Sequence, residues 1–167
     1  MADETGSGDG GAAADQESRP QFAMRAQYIK DLSFENPNAP EALSQREQPK
    51  FEISVTVNGR PLGNDNHEVE LQITARAMHD EEVTFLAELT YSGVFFVKNV
   101  PPEQVRPAIM IQGPSLLFPF ARRVLADCTR EGGFPPLMLD PIDFLSLYRQ
   151  SEEANQQSGA APDATIN

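Results

Sequence analysis

The stretch VELQITARAMHDEEVTFLAELTY, Val69–Tyr91, decides the fold. Val69, Leu71, Ile73, Ala75 and Ala77 occupy every second position. The same alternation resumes at Val83, Phe85, Ala87, Leu89 and Tyr91. Successive side chains of a strand point to opposite faces, so each run is a strand with one apolar and one polar side. His79-Asp80-Glu81 between them supplies a turn. Such alternation marks antiparallel strands with one solvated face, because buried parallel strands are apolar throughout.

Working outward, Phe51, Ile53, Val55 and Val57 form a third apolar face. It is followed by turn residues at Asn58-Gly59-Arg60-Pro61 and Gly63-Asn64-Asp65-Asn66. A fourth face is Phe22, Met24, Ala26 and Tyr28, with Gln21, Arg25 and Gln27 opposite. Lys30–Pro49 between the first two strands contains Asn-Pro and Ala-Pro steps, which disfavour helix at the preceding residue. It reads as a long crossover loop, a length that usually carries a function.

Downstream, Pro101-Pro102 open a stretch with helical apolar spacing: Val105, Ile109, Leu116, Leu117, Phe120, Ala121, Val124, Leu125 and Cys128. Gly113-Pro114 predict a break or kink. The apolar set is wider than one face, which suggests burial on a second side by another subunit. Gly132–Pro136 end the helix. Asp140 and Pro141 then fit an N-cap and first turn, opening a last helix from Ile142 to about Gln150. Its apolar set (Ile142, Phe144, Leu145, Leu147, Tyr148) is wide enough to leave part open for a ligand.

The chain has 167 residues and a net charge of −12. Residues 20–150 read as one domain. Residues 1–19 and 151–167 are small, polar and acidic, and read as disordered tails. An acidic chain makes nucleic acid and anionic membranes poor partners and basic protein surfaces better ones. The acidic start has no signal-peptide core, and nothing approaches the ~18 apolar residues of a membrane span, so neither export nor membrane insertion is expected. A single cysteine, Cys128, excludes a disulfide framework within the chain and suits the cytoplasm.

Catalytic chemistry has few candidates. His67 and His79, the only histidines, fall near predicted turns and lack partners at zinc-ligand spacing. Cys128 sits on an apolar helical stripe, where a thiol is inert. Asp80-Glu81-Glu82 reads as a solvated turn. There is no nucleophile elbow, and no glycine-rich phosphate loop with its lysine. Neither an enzyme nor a bound cofactor or metal is expected. A β-sheet domain closing on one small ligand is the remaining rival to an open binding surface.

Four segments resemble the SecB protein-export chaperones: YIKDLSFENPNAP (Tyr28–Pro40), TFLAEL (Thr84–Leu89), LLFPFAR (Leu116–Arg122) and GGFPPLMLDPIDF (Gly132–Phe144). The similarity spans about Phe22 to Gln150. It implies an α+β fold, a four-stranded antiparallel sheet with two helices on one face, assembled as a homotetrameric dimer of dimers. It further implies a cytoplasmic chaperone that holds unfolded precursors without ATPase activity and delivers them to the SecA motor ATPase. The family's SecA-binding positions fall on Asp31, Glu35, Leu86 and Glu88, and the zinc of SecA's binding element belongs to that partner. The client groove would be lined by Phe34, Phe51, Ile53, Val55, Phe134, Phe144, Leu147 and Tyr148, each of which is groove or core on sequence alone. The isomeric states of Phe134-Pro135 and Pro135-Pro136 stay open.

Overall fold

A computed structural model describes residues 19–44, 47–158 and 164–166. Strands β1 (Gln21–Glu35), β2 (Lys50–Gly63), β3 (Asn66–His79) and β4 (Glu82–Lys98) form the antiparallel sheet that the alternation predicts. A short strand that the sequence did not suggest, β5 (Ala164–Ile166), adds to the far side of β2. The order is β1-β4-β3-β2-β5.

The β2–β3 turn is confined to Asn64 and Asp65, both at positive φ, as is Gly63 at the end of β2. Asn58–Pro61, expected as a turn, instead continue β2, with Gly59 opposite Val69 and Pro61 opposite His67. Proline is tolerated there because β2 lies near the sheet edge. His67 and His79 sit half-buried within β3 rather than in turns.

β1 is longer than expected and is bent by bulges between Met24 and Ala26 and between Ile29 and Asp31. An extra residue in one strand switches the faces of those beyond it. Phe22 and Met24 therefore share a face, whereas Ala26 and Tyr28 turn outward, contrary to the simple alternation. Asp31 and Glu35 lie within this strand, not after it. The crossover is correspondingly shorter and contains the 3-10 turn Glu41–Ser44. Ala39-Pro40 is the cis peptide bond among the described residues, so both Phe134-Pro135 and Pro135-Pro136 are trans.

All helices pack on one face of the sheet. α1 (Pro102–Pro107), a π-helical turn (Ala108–Gln112) and α2 (Gly113–Glu131) run on without the expected break. Pro114 would crowd the carbonyl of Met110 in a regular helix, and the wider π turn just before it makes room. Gly113 has a different task from breaking the helix. A Cβ there would stand 2.9 Å from Cγ2 of buried Val69, so glycine lets helix and sheet approach closely. The core between the layers joins Leu71, Ile73, Leu89 and Phe95 to Leu117, Ala121 and Leu125.

α3 (Phe144–Ser158) continues past Gln150. Ser151 is buried and its hydroxyl donates to the Tyr148 carbonyl at 2.8 Å, while Glu152 lies 3.7 Å from Arg106. The stretch 151–158 is thus helix rather than tail, and the folded domain extends through it. The expected N-terminal tail falls almost wholly outside the described residues, as do 159–163 and Asn167.

The outer face of the sheet holds a buried carboxylate. Glu68 is 2% exposed. Tyr28 donates to its Oε1, Lys30 lies 3.0 Å from the same oxygen, and Arg60 Nε donates to Oε2 at 2.5 Å. Burial pushes the carboxyl upward, but these three donors outweigh it and hold it below the usual carboxylate range. The cluster ties β1 and β2 to β3 across the sheet.

Two outcomes follow from this packing. Gly113→Ala should lower stability by about 1–3 kcal/mol despite alanine's better helix propensity. A urea midpoint equal to or above that of the unaltered chain would contradict the close approach. Glu68→Gln should be destabilised at pH 7. The carboxylate's contribution is present above its ordinary value of 4.5 and is lost as pH falls through the lower folded value. The difference in midpoint between the two proteins should therefore be flat down to about pH 5 and narrow below it; a constant gap down to about pH 3 would count against the assignment.

Candidate functional site

β2 shows where the helix layer ends. Along its inward side Val57 is 1% exposed and Val55 is buried, Ile53 is half-buried, and Phe51 is 47% exposed. Beyond the last covered residue the apolar face of the sheet stands open. Phe85 forms the floor of this opening. Phe34, Phe51 and Phe134 surround it, with ring centroids 5.6, 6.1 and 5.0 Å from its own. A cavity of about 400 Å³ lies here, reaching from Ala42 and Pro49 to Pro135, Leu137 and Met138.

The rim is held firmly. Gly132 N–H donates to the Cys128 carbonyl at 2.9 Å, and Phe134 N–H to the Thr129 carbonyl at 3.1 Å. Buried Thr129 accepts the Leu137 N–H at its hydroxyl oxygen, 2.9 Å away, and so clamps both sides of the loop to the end of α2. The Phe34 ring lies so close to Gly132 that a Cβ would meet it at 2.4 Å. The end of β1 and the loop after α2 therefore form one wall.

The sequence-derived groove residues divide into two groups. Phe34, Phe51 and Phe134 converge on the opening, with half-buried Ile53 beside them. Val55, Phe144 and Leu147 belong to the core, with Phe144 4% and Leu147 2% exposed. Phe144 meets Phe118 edge-on at 6.0 Å. Tyr148 is half-buried against the same core. The start of α3 explains the difference. Asp143, not Asp140, caps the helix. Its Oδ1 accepts the N–H groups of Leu145 and Ser146 at 3.1 Å each. These bonds and that of the Ser146 hydroxyl hold the Asp143 carboxyl below its usual range. Phe144 and Leu147 then point into the protein. Sequence reasoning did not single out Phe85 or Met138. Alternation placed Phe85 in the core, and nothing local told that its cover was missing.

The outer face gathers the other four residues. Glu35 pairs with Leu86, Ser33 with Glu88 and Asp31 with Thr90, so all lie on one side of adjacent strands. Ser33 Oγ donates to Glu88 Oε2 at 3.3 Å. Asp31, Glu35 and Glu88 are exposed around half-buried Leu86. The result is an acidic patch with one apolar anchor.

A third surface lies beside α2. Leu116 and Phe120 are exposed one helical turn apart, and Phe120 stacks on Tyr91 at 6.4 Å. Ile29, opposite Tyr91, and Leu32 are exposed next to them on β1.

Reactive groups are sparse. Burial, and then the Asp127 carboxylate, push the Cys128 thiol up, which keeps it protonated and a poor nucleophile. Among the described residues no cluster of three or more His, Cys, Asp or Glu could hold a metal ion. No described helix is long and apolar enough to cross a membrane.

Comparison with known proteins agrees with this geometry. A family model described as "Preprotein translocase subunit SecB" matches residues 15–155. The "Protein-export protein SecB" of Afipia carboxidovorans is 51% identical over 154 residues, covering 90% of this chain and 96% of that protein. Its counterparts in Rhodopseudomonas palustris and Bartonella bacilliformis are 53% and 46% identical, covering 84% and 89% of this chain and 90% and 94% of their own lengths. Among solved structures, the Rv1957 SecB-like chaperone of Mycobacterium tuberculosis, in complex with a ChAD peptide from the antitoxin HigA1, superposes with a TM-score of 0.58. That match has 15% identity and covers 79% of this chain and 92% of that one, a likeness of fold. A family match over nearly the whole domain, close relatives at about half identity and a shared sheet-and-helix architecture lead to one conclusion: this chain belongs to the SecB family of protein-export chaperones.

Proposed function

We propose that the opening over Phe85 is where this chaperone holds unfolded precursor polypeptides, in the cytoplasm, before handing them to the SecA motor ATPase. The carrying observation is the uncovered end of the sheet's apolar face, rimmed by Phe34, Phe51 and Phe134. A native client has buried its own apolar residues, so only an unfolded one presents what this surface takes. Burial is non-directional, which suits many sequences.

Delivery uses the opposite face. Asp31, Glu35 and Glu88 around Leu86 complement a basic partner surface with one apolar contact, the arrangement SecA would grip. Assembly uses the third surface. Leu116, Phe120, Ile29 and Leu32 are covered when a second copy packs against α2 and β1, toward a homotetrameric dimer of dimers. Several modest grooves touched by one long client then act together through effective concentration.

The direct test is suppression of refolding of an unfolded precursor without nucleotide. Phe51→Ser should weaken capture at the groove by roughly tenfold, the value of one buried aromatic contact, while leaving folding and particle mass unchanged. Unaltered capture would place the client elsewhere. Glu88→Lys should weaken SecA binding in a titration and leave precursor holding intact; unchanged SecA affinity would remove the outer patch from the account.

A further inference from the structure

We infer that Met138 is a site of reversible oxidation, whose sulfoxide makes the groove more polar and loosens its hold on a client. This rests on the reading of the Phe85 opening as the client groove. Met138 lines that cavity. It is 62% exposed, more than any other large apolar side chain among the described residues. Of the other described methionines, Met24 is 36% exposed, Met78 is half-buried and Met110 is buried. Oxidation of a thioether follows access to its sulfur, so a dilute oxidant reaches Met138 first.

The loop exposes this side chain without making the fold depend on it. The Leu137 N–H is held by the Thr129 hydroxyl oxygen at 2.9 Å, and Leu139 is buried, so the chain is fixed on both sides. Met138 between them adds little to the core. An unbranched thioether moulds itself to irregular apolar shapes, which suits a rim that meets many client sequences. Hydrogen peroxide is the oxidant. A lone pair of Sδ attacks one peroxide oxygen, the S–O bond forms as the O–O bond breaks, and the departing hydroxide takes the proton and leaves as water. Sulfur is oxidised and peroxide is reduced by the same electron pair. The sulfoxide oxygen is a strong hydrogen-bond acceptor, and its hydration must be stripped before an apolar client can cover it. A thiol-dependent sulfoxide reductase reverses the step, with the thiols joining as a disulfide and the oxygen leaving as water.

The test treats the full-length chain with dilute hydrogen peroxide and follows each methionine by mass spectrometry of its peptides. Affinity for a reduced, alkylated polypeptide that cannot refold is measured before and after treatment, with Phe51→Ser measured alongside. Met138 should gain oxygen ahead of Met24. Capture should then weaken roughly fivefold, less than the loss of a whole aromatic contact, at an unchanged urea midpoint. Methionine sulfoxide reductases with dithiothreitol should restore it. Met138→Leu, compared with itself, should keep its affinity through the treatment, and Met138→Gln should bind weakly before it. Oxidation of Met24 first, a urea midpoint that falls with the Met138 sulfoxide, or an equal loss in treated Met138→Leu would overturn the site. So would a Met138 sulfoxide that binds as tightly as the thioether while Phe51→Ser is impaired, a result that leaves the groove standing. Full affinity in Phe51→Ser would instead remove the groove reading itself, and this inference with it.

Discussion

The helices of this protein cover less of the sheet than its apolar face requires, and most of its surface properties descend from that mismatch. On β2 the change from Val57 to Phe51 takes place within one strand. A fully buried aromatic side chain contributes about 1.5–3 kcal/mol, so leaving one open forgoes a noticeable share of a domain's net stability. The loss is tolerable because the remainder of the core, from Val69 to Leu125, is continuous and closed. The opening is also rigid at its rim, where Thr129 anchors the loop after α2 from both sides. A floor that does not collapse keeps its apolar surface available.

Much of this architecture is legible in the residues. Period-two alternation finds the body of β3 and the first half of β4, where each has one buried and one outward face, but β3 begins at Asn66, ahead of Val69, and β4 runs on past Tyr91 to Lys98. It fails in β1, where two bulges switch faces and no local pattern announces them. It also fails at Asn58–Pro61, whose turn-like composition yields to pairing with β3. Pro114 suggests an interrupted helix, but a π turn absorbs the proline instead. The strand misses share a cause, since each depends on pairing with another strand, whereas the π turn is a local adjustment of the helix.

The groove was legible by half. The resemblance to the SecB chaperones implies the groove residues, and of these Phe34, Phe51 and Phe134 meet at the opening. Val55, Phe144 and Leu147 are of the same residue types but lie under the helices. Core and groove differ only in what covers them, and cover is a property of the fold. The outer patch was more legible, because Leu86 stands on the polar side of an otherwise regular strand, and such an exception is local.

β4 carries both surfaces on alternate residues. Phe85 floors the inner opening, while Leu86 and Glu88 belong to the outer patch. The two sites are separated by the thickness of a single backbone, yet no atom of one stands in the way of the other. If the two surfaces serve as proposed, a cargo and a receptor occupy one subunit simultaneously, in a ternary complex that requires neither to leave before the other docks. Transfer from hand to hand is then a matter of relative grip, not of sequential access.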